Sequence, residues 1–448
     1  MNARSLVLAA LALAAVACGQ QPGADEAGSG TGDELDTGLG SGSETGPETG
    51  QETGTGTGSD TSASTEDTQS DTGEPPIDCF DFTVTDISAA GPQVLWQHLE
   101  AAIGRARDLV VGPDGTAYVS VDGDGNGERQ LVAIDAEGSV LWARADDADH
   151  GHGLALAGDR LIAGGTSIVS PTDHPDWLRV IDLQGALVDE ILEDDGDDAF
   201  WHVEAGPGGE ILVAGRYWVE PLNQRVALYE PDLSLRWVHF EGPVGGNNSS
   251  SMPQIAFDGA GRAHASYRFE PPETRRVVRF DAFGEVEWIA DFVGADLPNN
   301  AWPGALAFAD GQGDAAVYVG GRASALAWFG AFAADGQPLW SSTYGSQTWD
   351  EIQAIIPVVG AAPLGFYVAG EISGGAPGCS QCRDAWVAGL STGGKVLWTA
   401  TADGEAGLND AIYAMAKAPN GDLLVAGRVQ CGGLVAGEHP FVARLRPG

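Results

Sequence analysis

Six short polar side chains precede the predicted innermost strands of the chain at a similar register: Asp149, Asp198, Asn248, Asn300, Asp350 and Asp410. Three tryptophans are interleaved with them, at Trp201, Trp302 and Trp349. Carboxylate and amide oxygens around one opening could coordinate a cation or hold a polar ligand, and aromatic rings beside them would suit a sugar or a peptide. The alternative is that each Asp or Asn only bonds its own backbone at a strand start, while each tryptophan packs in the core.

A second group of oxygen ligands lies in a predicted hairpin loop, at Asp122, Asp124, Asn126 and Glu128. Their alternating spacing matches the first half of a calcium loop, D-x-D-x-N-G. The twelfth position holds Ala133 where an EF-hand needs a bidentate Glu, and no helix is predicted beside the loop. Calcium on these four side chains is one interpretation, and a solvated acidic turn is the other. No other cofactor is expected.

Four cysteines lie in the region predicted to fold: Cys79, Cys379, Cys382 and Cys431. An even number in an exported domain favours disulfides, with three possible connectivities. The last three fall in equivalent loops of neighbouring repeats, which favours bridging there. Zinc on four thiolates is the alternative, although only one C-x-x-C pair is present.

No pattern of a known catalytic site stands out in the sequence. A Gly-x-Ser-x-Gly elbow in a strand-turn-helix setting is absent, and no glycine-rich phosphate loop precedes a helix. Carboxylates are so abundant that a pair at glycosidase separation cannot be told from chance. These observations favour a protein that binds rather than one that catalyses.

Residues 1–18 have the features of an export signal, with Arg4 followed by the apolar run 5–17. The sequence Ala15-Val16-Ala17-Cys18-Gly19 resembles a bacterial lipobox, in which cleavage leaves a lipid-bearing cysteine. Lipid on Cys18 would hold the chain to a membrane surface. Ordinary secretory cleavage is the alternative. We therefore expect a cell-envelope protein, either an outer-membrane lipoprotein or an extracellular one.

Residues 19–76 consist mainly of Gly, Thr, Ser, Asp and Glu. Such a stretch has almost no apolar surface to bury, so it is predicted to be a disordered, extended tether. The formal net charge of the whole chain is -42. This charge excludes a protein held on nucleic acid by phosphate contacts and suits cationic partners or divalent cations.

The region 79–448 repeats an apolar run that closes on small residues. Seven copies occur, at 117–121, 161–164, 211–215, 263–267, 317–321, 366–370 and 423–427. A further strand signature ends in tryptophan in most repeats, and the last repeat lacks it. The run Val94-Leu95-Trp96 supplies the missing strand at the other end of the region. We predict an all-β, seven-bladed β-propeller of four-stranded antiparallel blades, closed by this N-terminal strand; a β-solenoid is the alternative.

The segments 384–398 and 411–427 resemble the bacterial seven-bladed β-propeller repeat, and the segment 130–142 is similar to the repeat of quinoprotein propellers. The resemblance implies the fold and carries little about function. Quinoprotein dehydrogenases have two adjacent cysteines at the cofactor, and this chain has no such pair, so cofactor binding is not expected.

In a propeller, the loops that lead into the innermost strands share one face, where propellers usually bind ligands. The six Asp and Asn residues would therefore surround the mouth of the central channel. We expect a monomeric, surface-anchored binding or scaffolding module for a protein, peptide or glycan. A hydrolase or lyase acting on polysaccharide at the same mouth is the alternative function.

Overall fold

The fold is taken from a computed structural model of the chain. It describes residues 81–83, 92–99, 104–123, 128–147, 149–167, 175–193, 199–217, 223–242, 253–269, 274–292, 302–308, 315–323, 325–345, 350–358, 363–373, 382–404, 408–431 and 437–447. All regular elements in these ranges are β-strands. None of the described segments is a helix that could cross a membrane.

The first two strands, β1 (Asp81–Thr83) and β2 (Gln93–Leu99), precede the repeats. Blade 1 contains β3 (Gly104–Val111), β4 (Ala117–Gly123), β5 (Glu128–Ile134) and β6 (Val140–Asp147). Blade 2 contains β7 (Asp149–Ala157), β8 (Arg160–Ser167), β9 (Asp176–Asp182) and β10 (Leu187–Glu193). Blade 3 contains β11 (Ala199–Ala205), β12 (Ile211–Tyr217), β13 (Asn223–Tyr229) and β14 (Leu235–Glu241).

Blade 4 contains β15 (Gln254–Phe257), β16 (Ala263–Phe269), β17 (Thr274–Phe280) and β18 (Val286–Phe292). Blade 5 contains β19 (Trp302–Phe308), β20 (Ala315–Ala323), β21 (Leu326–Ala333) and β22 (Pro338–Tyr344). Blade 6 contains β23 (Glu351–Pro357), β24 (Leu364–Ser373), β25 (Arg383–Ser391) and β26 (Val396–Asp403). Blade 7 contains β27 (Ala411–Lys417), β28 (Leu423–Cys431) and β29 (Gly437–Arg446), with β2 as its outer strand.

The strand order within the sheets confirms the predicted seven-bladed propeller of antiparallel blades. Each predicted apolar run forms the second strand of a blade. Successive side chains of such a strand point to opposite faces of the sheet, so both faces are buried, each against a neighbouring blade. Seven apolar clusters result in the described residues, and each joins two adjacent blades around the circle. The core therefore lies between the blades.

The predicted closure of the ring by an N-terminal strand is also confirmed. Strand β2 pairs antiparallel with β29, with Val94 opposite Leu445 and Trp96 opposite Arg444. The apolar cluster that joins blades 7 and 1 completes the circle. One feature was not predicted: β1 pairs with β26, where Phe82 lies opposite Ala402, and gives blade 6 a fifth strand.

The outer tryptophans pack between blades, as their positions predicted. Trp237 of blade 3 lies against Gly284 in a hairpin turn of blade 4, where a Cβ on that glycine would come within 2.7 Å of the indole ring. Gly284 has a φ of 81°, which an L-residue with a side chain rarely adopts. The same tryptophan-glycine contact recurs from blade to blade, in the pairs Trp96–Gly138, Trp142–Gly185, Trp288–Gly336 and Trp340–Gly394.

Candidate functional site

The innermost strands share a β-bulge near their N-terminal ends. In blade 1, Ala106 and Asp108 pair with the consecutive residues Val121 and Ser120, so Arg107 is the extra residue. The bulge recurs in six blades, where the extra residues are Arg107, His152, Trp201, Gly304, Gln353 and Tyr413. A bulge redirects a side chain and increases the local twist, and it is frequent beside functional sites.

These bulges lie near the face at which every innermost strand begins, which we call the upper face. The five extra residues whose side chains are described all line one cavity of about 650 Å³. Gln254 enters the same cavity from β15, and Arg322, Glu371 and Arg383 enter it from second and third strands. The cavity is the upper part of the central channel. It combines charged, amide and aromatic side chains in one place.

One side of the channel carries arginine-carboxylate pairs. Arg383 Nη1 donates to Glu371 Oε1 at 2.7 Å, and Arg107 donates through Nε and Nη2 to Asp122 Oδ2 at 3.0 and 2.9 Å. The Arg107 guanidinium also lies 5.4 Å from the centre of the Tyr413 ring. Burial raises the pKa of Tyr413, and the nearby arginines oppose that rise. This tyrosine therefore stays a neutral hydroxyl at physiological pH.

Two carboxyl groups also line this cavity, Asp108 on β3 and Glu204 on β11. Asp108 accepts backbone hydrogen bonds from Leu109 and Leu154, both at 2.8 Å. Burial raises the pKa of Asp108 to about 6, although these two bonds favour its charged form. Burial and the negative charge of Asp108 raise the pKa of Glu204 to about 8. Glu204 is nevertheless exposed to the channel, whereas Asp108 is only partly exposed.

His202 on β11 and Gln254 on β15 line the same cavity as these two carboxyl groups. Gln254 Nε2 is 2.9 Å from His202 Nε2. Burial lowers the pKa of His202 to about 4, so the imidazole is neutral at pH 7 and its Nε2 can accept this hydrogen bond from the amide. The Gln254 carbonyl oxygen then remains as an acceptor. His202 therefore contributes a neutral polar surface to the cavity, and it carries no positive charge that could balance the two carboxyl groups.

The predicted Asp and Asn ring falls only in part on described residues. Asp350 and Asp410 are both buried. Asp350 Oδ1 accepts a hydrogen bond from the Ser373 backbone, and Asp410 accepts two of 2.7 Å, from the backbone N–H groups of Gln430 and Gly404. These contacts join the start of an innermost strand to the ends of neighbouring strands, and they are not the local turns of the backbone-bonding alternative.

The other members of that ring are less informative. Asp198, Asn248, Asn300 and Trp349 lie outside the described residues. Asp149 lies in β7 and Trp302 in β19, where Trp302 is paired with Arg322, but only their backbones are described. Trp201 lines the cavity, as does the neighbouring His202. A ligand-binding ring of Asp and Asn side chains stays a prediction.

The predicted calcium loop and cysteine bridges are also covered in part. Asp122 binds Arg107, whereas Asp124 and Asn126 lie outside the described residues and the side chain of Glu128 is not described. No group of three or more His, Cys, Asp or Glu side chains in the described ranges is arranged to hold a metal ion. Calcium binding stays a prediction. Cys382 and Cys431 are disulfide-bonded, and Cys79, Cys379 and Cys18 lie outside the described residues.

The sequence did not single out most of the cavity residues. These are Arg107, Asp108, Glu204, Gln254, Arg322, Gln353, Glu371, Arg383 and Tyr413. The sequence does contain a signal for Glu204, which lies three residues after the bulge residue Trp201. The other innermost strands carry a small or apolar residue at the equivalent position. Those residues are Val110, Ala155, Ala307, Ile356 and Ala416, and Ala256 corresponds to them in blade 4. An alignment of the repeats by this register would have shown Glu204 as the exception.

No protein-family model and no curated protein sequence matches this chain. Among solved structures, a periplasmic gluconolactonase from Pseudomonas aeruginosa is similar at 16% identity, with 68% of this chain and 86% of that chain covered and a TM-score of 0.47. A protein of unknown function from Bacteroides caccae has 14% identity, with coverages of 67% and 94% and a TM-score of 0.43. The C-terminal WD40 domain of Sif2 has 12% identity, coverages of 81% and 100% and a TM-score of 0.46. At these identities and scores, no function follows from the similarities.

Proposed function

We propose that this protein is a binding module that takes up the end of a glycan or peptide in the upper mouth of its central channel. The observation that carries the proposal is the shared bulge, which brings Trp201, Gln353 and Tyr413 to one level of a single cavity. Its volume of about 650 Å³ lies in the range of small-molecule sites. The cavity is thus large enough for a chain end or a few linked sugar units.

The chemistry of the mouth supports a polar ligand with apolar faces. Trp201 and Tyr413 offer aromatic surfaces on which a sugar ring or a side chain can pack. The Gln353 amide and the arginine N–H groups can donate hydrogen bonds, and the carboxyl groups can accept them. Because Arg107 and Arg383 are held by their own carboxylate partners, their positions are set before a ligand arrives.

The N-terminal segments supply the cellular context of the proposal. Signal cleavage and lipid on Cys18 would anchor the chain, and residues 19–76 would extend the propeller away from the membrane. The protein would then act as a monomer at the cell surface, either as an outer-membrane lipoprotein or released outside the cell. Its partner would be a protein, a peptide or a glycan of that environment.

The alternative function, a hydrolase or lyase acting on polysaccharide, is favoured by one observation. Asp108 and Glu204 share the cavity with raised pKa values of about 6 and about 8, and such pairs divide acid and base roles. In a hydrolase, the Asp108 carboxylate would take a proton from the attacking water while Glu204 gave its proton to the leaving glycosidic oxygen. In a lyase, the Asp108 carboxylate would take the proton from the carbon beside a uronic acid carboxyl group, a C=C bond would form as the glycosidic C–O bond breaks, and Glu204 would protonate the leaving oxygen without any water being consumed.

A screen on an array of glycans and peptides tests the proposal and separates the two functions. The mature full-length chain is incubated on the array, and each position is then analysed for bound protein and by mass spectrometry for released fragments. Retained and chemically unchanged ligands would support the binding module. Released products that disappear with Glu204→Gln would support the enzyme and overturn the proposal, as would the absence of retention at every position.

A further inference from the structure

We propose that Arg107 and Tyr413 form a site for a carboxylate group of the ligand. This inference rests on the proposed binding function and specifies the chemical class of the ligand. Both are the extra residues of bulges in neighbouring blades, Arg107 in blade 1 and Tyr413 in blade 7, and both line the cavity. The Arg107 guanidinium lies 5.4 Å from the centre of the Tyr413 ring, so the two polar side chains can contact one ligand group.

The hydroxyl group of Tyr413 is a hydrogen-bond donor without an acceptor. Within the described part of the chain, it bonds neither a side chain nor a backbone group. Only the ring is engaged, by the guanidinium groups of Arg107 and Arg428 at 5.4 and 5.9 Å from its centre. Polar groups in such enclosed places usually have a partner. A ligand oxygen in the cavity would supply the missing acceptor.

Arg107 is held in a way that leaves one nitrogen for the ligand. Its Nε and Nη2 donate to Asp122 Oδ2 at 3.0 and 2.9 Å, and only 11% of the Asp122 side chain is exposed. Arg107 Nη1 has no acceptor among the described residues. Because the ion pair fixes the guanidinium before a ligand arrives, little side-chain freedom is lost when Nη1 binds.

Two further arginines near Tyr413 add positive charge that their partner does not balance. Arg105 and Arg428 both form an ion pair with Glu438, so they have one described carboxylate between them. Both arginines act on the Tyr413 hydroxyl, since their charges oppose the rise of its pKa on burial. The net charge of -42 repels anions from the chain as a whole. A ligand carboxylate would therefore be held here by local contacts rather than by long-range attraction.

The two donors favour a carboxylate over other ligand groups. The Tyr413 hydroxyl and Arg107 Nη1 match the two oxygens of a carboxylate, whereas a phosphate or sulfate group would leave more oxygens without a donor. A neutral carbonyl group would gain less, because hydrogen bonds to a charged acceptor are stronger. Asp108 and Glu204 line the same cavity and would repel an anion beside them. The site is therefore confined to the surroundings of Tyr413.

Calorimetric titration of the mature full-length chain tests this site with two sources of the carboxylate. A galacturonic acid trimer is compared with its methyl ester, and N-acetyl-trialanine is compared with its C-terminal amide. We expect the carboxylate form of at least one pair to bind about tenfold more tightly than the neutral form, because its hydrogen bonds are charge-assisted. The pair that shows this preference identifies whether a sugar acid or a peptide end supplies the carboxylate.

Tyr413→Phe removes only the hydroxyl group, so it should leave the free energy of unfolding unchanged. We expect it to lower the affinity for the preferred carboxylate about tenfold and to leave the affinity for the neutral form unchanged. Arg107→Gln should also remove the preference. Arg446→Gln is the matched control, because Arg446 also binds a carboxylate, that of Asp422, but lies at the C-terminal end of β29 on the opposite face. It should bind both forms as the wild type does.

Equal binding of the two forms in both pairs, or an unchanged preference in Tyr413→Phe, would overturn the carboxylate site. Neutral probes that bind as well as the carboxylates, and lose affinity in Trp201→Ala, would overturn it while leaving the proposed binding function intact. Failure of all four probes to bind would also overturn it, and the array screen would then decide the proposed function separately.

Discussion

Trp96 and Arg444 lie opposite each other in blade 7, and both donate a hydrogen bond to the same backbone oxygen in blade 1. Trp96 Nε1 is 2.9 Å from Ala136 O, and Arg444 Nη1 is 2.7 Å from it. Trp96 lies on β2, the N-terminal strand that closes blade 7, and Arg444 lies on β29, the last strand of the chain. One carbonyl group therefore joins both ends of the propeller to its first blade.

The first prediction concerns this junction. Arg444→Met should lower the free energy of unfolding by about 3 kcal/mol, because it leaves Asp422 without its buried partner. Arg446→Met is the matched control, since Arg446 binds the same carboxylate but its side chain is 57% exposed, against 7% for Arg444. The control should cost under about 1 kcal/mol. Urea unfolding of both variants measures the difference, and equal losses would contradict the role of Arg444 in closure.

The second prediction concerns packing between blades. Trp237→Ala should destabilise the fold by about 3–5 kcal/mol, because it removes the indole ring that packs on Gly284 and leaves a cavity between the blades. Phe283→Ala changes an aromatic residue beside the same turn that is 81% exposed, so it should stay within about 0.5 kcal/mol of the wild type. Thermal unfolding of the two variants checks this. A Phe283 effect as large as that of Trp237 would show that the turn, and not the tryptophan contact, holds the blades together.

The sequence predicted the parts of the fold that repeat. Trp237 and four of its equivalents mark outer strands because they pack on a turn glycine of the next blade, and Trp96 supplied the strand missing from blade 7. Strand β1 escaped prediction because three residues are too few to show a period-two pattern. Pairing with β26 is decided by tertiary contact alone.

The site was harder to predict for a different reason. The bulge residues differ in type, from Arg107 to Trp201 to Gly304, so nothing in their identity marks a shared position. Only the pairing of first and second strands shows that they lie at one level. The acidic composition also hid Glu204 among 64 Asp and Glu residues. Glu204 stands out only when the innermost strands are aligned, because the equivalent residues of the other blades are apolar.

The third prediction concerns the pH dependence of stability. The pKa of Glu204 is raised to about 8 in the folded state, so the folded protein holds a proton that the unfolded chain loses near pH 4.5. Stability from this group is present at low pH and is lost as the pH rises through about 8. Glu204→Gln should therefore gain about 1 kcal/mol over the wild type at pH 9 compared with pH 4.5, a value kept small because channel water reaches the carboxylate. Urea unfolding at both pH values measures this gain, and an equal difference at both would contradict the raised pKa.

The fourth prediction concerns the disulfides of Cys382 and Cys431. Both cysteines are buried, Cys382 directly before β25 and Cys431 at the end of β28. Non-reducing peptide mapping should find both residues in disulfides. Because these bonds constrain the unfolded chain, the double variant to serine should lose about 2–4 kcal/mol of unfolding free energy. A free thiol at either position in the folded wild type, or an unchanged stability of the double variant, would contradict this prediction.

The most direct test of the proposed binding mouth is the glycan and peptide array read with three proteins side by side. They are the wild type, Trp201→Ala in the mouth and Phe283→Ala on an exposed turn of the opposite face. The account predicts that every ligand retained by the wild type is retained by Phe283→Ala and falls at least tenfold for Trp201→Ala, with both variants folded. Full retention by Trp201→Ala, with loss in Phe283→Ala, would contradict it and move the binding surface away from the channel.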